Sequence, residues 1–120
     1  GQRTLNDLYS VADIGVVPSL HEEFGYVAIE MMMHQLPVIV NATTGLAEIV
    51  DHEINGLHVF LKRGKHNLRY SAGELARGMI RLLFNPDLRL KLGRNARKKY
   101  LSRYSIRHFD EKMKSLYQTL

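Results

Sequence analysis

The hydrophobic pattern alternates short unbroken apolar runs with stretches spaced by three and four. Ile14-Gly15-Val16-Val17 reads as a strand buried on both faces, ended by Pro18-Ser19. A helix is predicted from about Phe24 to His34, with Val27, Met31 and His34 along one side and Ala28 and Met32 beside it. Pro37 forbids its continuation, and Pro37-Val38-Ile39-Val40 is a second buried strand. After a polar loop from Asn41 to Gly45 comes a short helix, Leu46–Asp51. Asn55-Gly56 marks a tight turn, and Leu57–Leu61 is a third strand.

Helical spacing governs the rest. Leu5, Leu8 and Val11 predict a short helix ahead of the first strand. Lys62–Ser71 reads as a basic, turn-rich connector. Residues 72–84 form a helix with Leu75, Met79, Leu82 and Leu83 on one face. Asn85-Pro86 starts the next one, an N-cap residue followed by proline at the first helical position, and Leu88, Leu92 and Ala96 line it. Ser105 is expected to cap a last helix carrying Phe109, Met113, Leu116 and Tyr117.

Strand–helix–strand–helix–strand predicts an α/β fold with about three parallel strands, part of a Rossmann-like domain with a helical C-terminal tail. The expected division is a βαβ core over 1–61 and a helical tail over 62–120. Three strands are few for such a sheet, so further strands are expected upstream and the chain is read as a piece of a longer protein.

Composition narrows the class. The 120 residues include no cysteine, which excludes disulfides and thiolate metal sites and fits a cytoplasmic setting. No apolar run reaches the ~18–20 residues of a membrane-spanning helix. Charge is lopsided: residues 1–61 hold one Arg and eight acidic residues, residues 62–120 sixteen Lys or Arg and four acidic ones. A half of net charge +12 invites nucleic acid, an anionic membrane surface or an acidic partner. The plainer reading is solvated helix faces, because the basic residues are spread through amphipathic repeats.

The candidate chemistry sits after the first strand, in the segment from Pro18 to Glu30. In open α/β sheets ligands bind at the carboxyl ends of the strands. Backbone N–H groups around Phe24, Gly25, Tyr26 and Val27 would be unpaired at a helix start and would favour an anion. Gly25 allows close backbone approach. Glu30 lies five residues beyond Gly25, roughly 7–8 Å along the axis at 1.5 Å per residue. Glu22 and Glu30 therefore reach different parts of an extended ligand and are poorly placed as an acid/base pair around one bond. Carboxylates suit vicinal hydroxyls, since each offers two acceptor oxygens. A ligand with a sugar, a diphosphate and a ribose would use all three elements. Thr43-Thr44-Gly45 repeats the logic after the second strand. Plainer roles stay open: Glu22 and Glu23 as acidic neighbours of a helix start, Glu30 as a solvated helix residue, and Met31-Met32-Met33 as core filler. His21, beside the acidic loop, is a ligand candidate, and no His/Asp/Glu set has metal-ligand spacing.

Taken in order, Pro18-Ser19-x-x-Glu22-x-Phe24-Gly25-x-x-x-x-Glu30, Leu36-Pro37-Val38-Ile39, Gly45-Leu46-Ala47-Glu48-Ile49-Val50 and Asn55-Gly56-Leu57 resemble the C-terminal domain of retaining GT-B glycosyltransferases, group 1 (family 4). Leu8-Tyr9-x-x-Ala12-Asp13 and Asn85-Pro86-x-Leu88-Arg89 extend the likeness over nearly the whole chain. The resemblance implies transfer of a sugar, with retention, from a nucleotide-sugar (a UDP- or GDP-sugar) to a glycan or lipid-linked acceptor, as in polysaccharide biosynthesis. It assigns Glu22 the catalytic position on the donor-sugar hydroxyls. Phe24, Gly25, Tyr26 and Val27 would line the sugar and diphosphate, and Glu30 would hold the ribose. Ser19, His21, Thr44 and Gly45 complete the expected donor set. No cofactor and no metal are expected. The acceptor would bind through an N-terminal domain, and the start of the C-terminal domain would supply the basic grip on the diphosphate; both lie outside this chain, which alone should be inactive. A cytoplasmic location is expected, with peripheral contact at the inner face of a membrane. Two departures stand out: Gln35 where the family has Gly, and Thr44 in place of the first of a Gly-Gly pair. The rival readings are a nucleic-acid or interaction module on the basic half, against which the lack of aromatic–basic interleaving argues, and a related GT-B epimerase or phosphorylase.

Overall fold

A computed structural model of the chain describes residues 12–20 and 25–105. The expected helix at 5–11, the loop residues His21, Glu22 and Phe24, and the expected last helix lie outside the described residues. Three strands, β1 (Gly15–Val17), β2 (Val38–Asn41) and β3 (Gly56–Val59), form a parallel sheet in the order β1-β2-β3. The register pairs Val16 with Ile39 and Ile39 with Leu57. Helices α1 (Gly25–Met33) and α2 (Leu46–Ile49) make the two crossovers. The architecture is thus the expected partial Rossmann-like half-domain.

The apolar runs are continuous because both faces of the sheet are covered. All four residues of β2 are buried. One face joins Val17, Val38 and Val40 to Ala28 and Met32 of α1. The other joins Ile39, Leu57 and Val59 to Leu82 of α3 (Leu68–Leu83) and Leu92 of α4 (Pro86–Lys99). Each fully buried aliphatic side chain here contributes about 1.5–3 kcal/mol. The middle methionine of Met31-Met32-Met33 is core filler, as its 0% exposure shows.

Two helix expectations need correction. α3 begins at Leu68, four residues before the expected start, and the connector shortens to a single 3₁₀ turn at Lys65–Asn67. Nothing in Leu68-Arg69-Tyr70-Ser71 breaks a helix, and the Ser71 hydroxyl accepts from the N–H of Lys62 and donates to its carbonyl. Its buried side is also rotated: Leu75, Gly78 and Leu82 meet the sheet, while Met79 is 39% and Leu83 54% exposed. Glycine carries no hydrophobic signal, yet Gly78 is buried against the sheet, where a Cβ would make ordinary contact with Ile39 and Val59 at 3.4 Å. α4 starts as expected, the Asn85 side chain accepting from Leu88 N at 3.3 Å with Pro86 behind it. A π-helical turn, Tyr100–Tyr104, follows α4, and Ser105 is extended, its Oγ donating to Leu101 O.

Turn chemistry overrides composition in two places. The tight turn expected at Asn55-Gly56 covers residues 53–55, and its left-handed residue is Glu53, at φ 63°. Asn55 is buried; its Oδ1 accepts from Asp51 N at 2.8 Å, and its Nδ2 donates to Asp51 Oδ2 at 3.0 Å. Gly56 belongs to β3, where a Cβ would come within 2.3 Å of Val38 O. After α1, Gln35 N–H donates to Met32 O and Leu36 N–H to Met31 O, with Gln35 at φ 63°. That is a Schellman motif with glutamine in the left-handed position usually held by glycine. Gly93 of α4 packs directly under this turn.

Much of the basic tail is spent inside the fold. Arg89 Nη1 donates to the carbonyls of Leu82 and Leu83, ending α3, and Arg97 Nη1 donates to Met33 O at the end of α1. Lys99 Nζ reaches Glu48 O and Asp51 Oδ2, and Arg77 and Arg81 pair with Glu74 and Glu53. Cations at helix C-termini satisfy orphan carbonyls and offset the macrodipole.

Candidate functional site

The carboxyl ends of β1 and β2 and the N-terminus of α1 converge on one edge of the sheet. β1 hands over to Pro18 and Ser19, and α1 begins at Gly25. A cleft of about 430 Å³ opens there, its described lining made by Val16, Val17, Pro18, Ser19 and Val27. That volume lies in the range of small-molecule sites. The N-terminal amides of a helix lack an intrahelical partner, and the macrodipole adds roughly half a positive charge there. A side chain at Gly25 would meet one neighbour, Ile49 Cδ1 at 3.3 Å. Tyr26 is 83% exposed, while Val27 is half-buried.

Glu30 follows on α1 and is half-buried. At 100° per residue it lies on the side turned away from Ala28 and Met32, which face the core. Its carboxylate is thus not spent on the sheet packing. Of the expected donor residues, Ser19 and Val27 line this cleft, while Gly25, Tyr26 and Glu30 are carried on α1 beside Val27. His21, Glu22 and Phe24 belong to the loop outside the described residues.

Thr44 and Gly45 sit at the next strand end, in the loop from β2 to α2. The Thr44 hydroxyl donates to Asn41 O at 3.1 Å and accepts from Leu46 N at 3.3 Å. Thr43 N–H donates to Asn41 Oδ1, Ala47 N–H to Thr44 O and Glu48 N–H to Gly45 O. Thr44 therefore shapes the loop and accepts the first N–H of α2, whose N-cap is Gly45. What the loop offers a ligand is a preset backbone more than a free hydroxyl.

Two residues of this edge escaped the sequence reading. Asn41, fully buried, closes β2 and bonds the segments that follow all three strands. Arg63 Nη2 donates to Leu20 O at 3.1 Å, tying the chain beyond β3 to the loop beyond β1. The available signal for Asn41 was a polar residue directly continuing an all-apolar strand. Ionisations are shifted elsewhere: the Arg81 guanidinium bonded to Glu53 holds that carboxyl below its ordinary value, and burial raises the Tyr104 phenol. Among the described residues no group of three His, Asp or Glu side chains is arranged to hold a metal ion.

A parallel α/β half-domain whose ligand edge joins a strand end to a helix N-terminus belongs to the broad class of nucleotide-binding folds. Comparison with known proteins narrows this. The family model for glycosyl transferases group 1 matches residues 1–99, and the chain belongs to that family. An uncharacterized glycosyltransferase of Methanocaldococcus jannaschii is 38% identical over 102 residues, covering 85% of this chain and 24% of that protein. Sucrose-phosphate synthase from Thermosynechococcus elongatus superposes with a TM-score of 0.79 at 35% identity, over 93% of this chain and 26% of the synthase. Anabaena HepE, solved with UDP-glucose, shares the fold at 22% identity, with a TM-score of 0.76 over 94% of this chain and 29% of HepE. The chain spans about a quarter of the length of the relatives it matches.

Proposed function

We propose that this chain forms one wall of a nucleotide-sugar donor site, in a glycosyltransferase that passes the sugar to a glycan or lipid-linked acceptor with retention. The observation that carries this is the cleft at the end of β1 meeting the N-terminus of α1, with Glu30 about a turn and a half further along. The donor is a UDP- or GDP-sugar. Its diphosphate lies against the first amides of α1, where the aligned dipoles favour negative charge. Leaving-group charge grows on the diphosphate as its bond to the sugar's anomeric carbon breaks and the acceptor oxygen bonds that carbon, so those same N–H groups stabilise the transition state more than the ground state. Glu22 accepts from the donor-sugar hydroxyls and Glu30 from the ribose hydroxyls. No metal or cofactor is assigned a step.

The acceptor and the basic grip on the diphosphate belong to other parts of the parent enzyme, so the isolated chain is expected to be inactive. Measurable sugar transfer by these 120 residues would refute that point. The rival nucleic-acid reading is weakened because Arg77, Arg81, Arg89, Arg97 and Lys99 are engaged within the fold. Glu22→Ala in the full-length protein tests the reading. Losing a charge-assisted hydrogen bond to substrate costs about 1.5–3 kcal/mol, roughly 10- to 150-fold in rate. Transfer is expected to fall by at least that much with the melting temperature unchanged. Equal loss of folding and transfer would assign Glu22 a structural role instead.

A further inference from the structure

We propose that Asn41 is a positioning residue that fixes the strand ends of the ligand edge relative to one another, and so sets donor affinity without touching the donor. The effect on affinity rests on the donor-site reading; the clasp itself does not. Asn41 is the last residue of β2 and is 0% exposed. Its Nδ2 donates to the carbonyl of Ser19, beyond β1, at 3.3 Å. Its Oδ1 accepts from Thr43 N–H at 3.2 Å and from Leu61 N–H, beyond β3, at 3.3 Å. Residues 22 positions before it and 20 after it thus meet on one amide.

The partners dictate the chemistry. Two backbone N–H groups need an acceptor and one carbonyl needs a donor, so the amide has only one workable orientation. Serine is too short to span all three. Leucine would remove the acceptor of the Thr43 N–H and of the Leu61 N–H, the latter buried, and the donor to the Ser19 carbonyl. Aspartate is nearly isosteric but, when ionised, turns a second acceptor on the Ser19 carbonyl. Protonated, its O–H can donate there as the amide does. Burial raises a carboxyl above the usual range, and the cation described at this edge, Arg63, is held on Leu20 O at 3.1 Å.

The test is Asn41→Asp in the full-length protein, with UDP-glucose and UDP as calorimetric probes at pH 8 and pH 5.5. Affinity is expected to drop tenfold or more at pH 8 and to return most of the way at pH 5.5. Wild type should show no such recovery. Wild-type affinity in the variant at pH 8, or an equal loss at both pH values, overturns the proposal. If the variant fails to fold at pH 8, folding at pH 5.5 reads the same titration and supports it. Amide exchange in the wild type gives an independent reading. Thr43 and Leu61 amides should exchange at least 100-fold more slowly than unprotected ones, and exchange at the unprotected rate overturns the clasp. A wild type that binds neither probe, nor GDP, counts against the donor site, while the exchange data still decide the clasp.

Discussion

Gly93→Ala and Gly73→Ala make the same chemical change in the interior of two helices and should move stability in opposite directions. In α4, a Cβ on Gly93 would sit 2.3 Å from the carbonyl oxygen of Gln35, 3.3 Å from its carbon and 3.6 Å from Pro37 Cδ. Relief needs a shift of about 1 Å, because carbon–oxygen contacts below ~3.2 Å are repulsive. The atom struck is backbone, and hydrogen bonds from Gln35 N–H and Leu36 N–H hold the turn on both sides. Overpacking of this kind costs about 1–3 kcal/mol, and the rigidity of the turn argues for the upper end. Against that, alanine gains about 1 kcal/mol of helix propensity. The net is a loss of about 2 kcal/mol. In α3, a Cβ on Gly73 meets nothing within 4 Å, so the propensity gain of about 1 kcal/mol stands alone. Urea unfolding followed by far-ultraviolet circular dichroism reads both. A Gly93→Ala midpoint at or above wild type would refute the packing argument, since propensity alone would then explain both glycines.

The same turn supplies another prediction. Gln35 at φ 63° carries a left-handed cost that glycine avoids, so Gln35→Gly should stabilise by about 0.5–1 kcal/mol, and a neutral or destabilising result in thermal melting would contradict it. The Arg81 guanidinium, 2.7 Å from Glu53, lowers that carboxyl below its ordinary value of 4.5. Native stabilisation from this pair is therefore present above pH 4.5 and lost as pH falls through the lowered native value. Arg81→Ala should move the Glu53 titration, followed by NMR, back up toward 4.5, and an unmoved titration would reject Arg81 as the cause.

What the sequence could disclose followed the range of the interactions involved. β1 and β2 were legible because strands covered on both faces need unbroken apolar runs. The Asn85-Pro86 start was legible because a cap is local chemistry. The buried side of α3 was not, since one of its buried positions is Gly78, which carries no hydrophobic signal. The left-handed sites at Gln35 and Glu53 were hidden for a related reason: neither residue type advertises a positive φ. Asn41 shows locally only as a polar residue at the end of an apolar strand; its partners lie 22 residues before and 20 after it. In the site, the Gly25-to-Glu30 spacing was readable from helix geometry, whereas the roles of Glu22 and Glu30 came from the ordered family motifs. The twelve excess positive charges of the second half looked like a surface property; several turn out to be helix-end and loop braces.

Backbone NMR titration of the full-length protein with UDP, and separately with GDP, tests the donor-site assignment most directly. Saturable shifts are predicted at Ser19, Gly25, Tyr26, Val27, Glu30 and Gly45 with at least one of the two nucleotides. Shifts confined to the basic outer face of α4, around Lys91, Arg94 and Lys98, or no saturable shift with either nucleotide, would contradict the account.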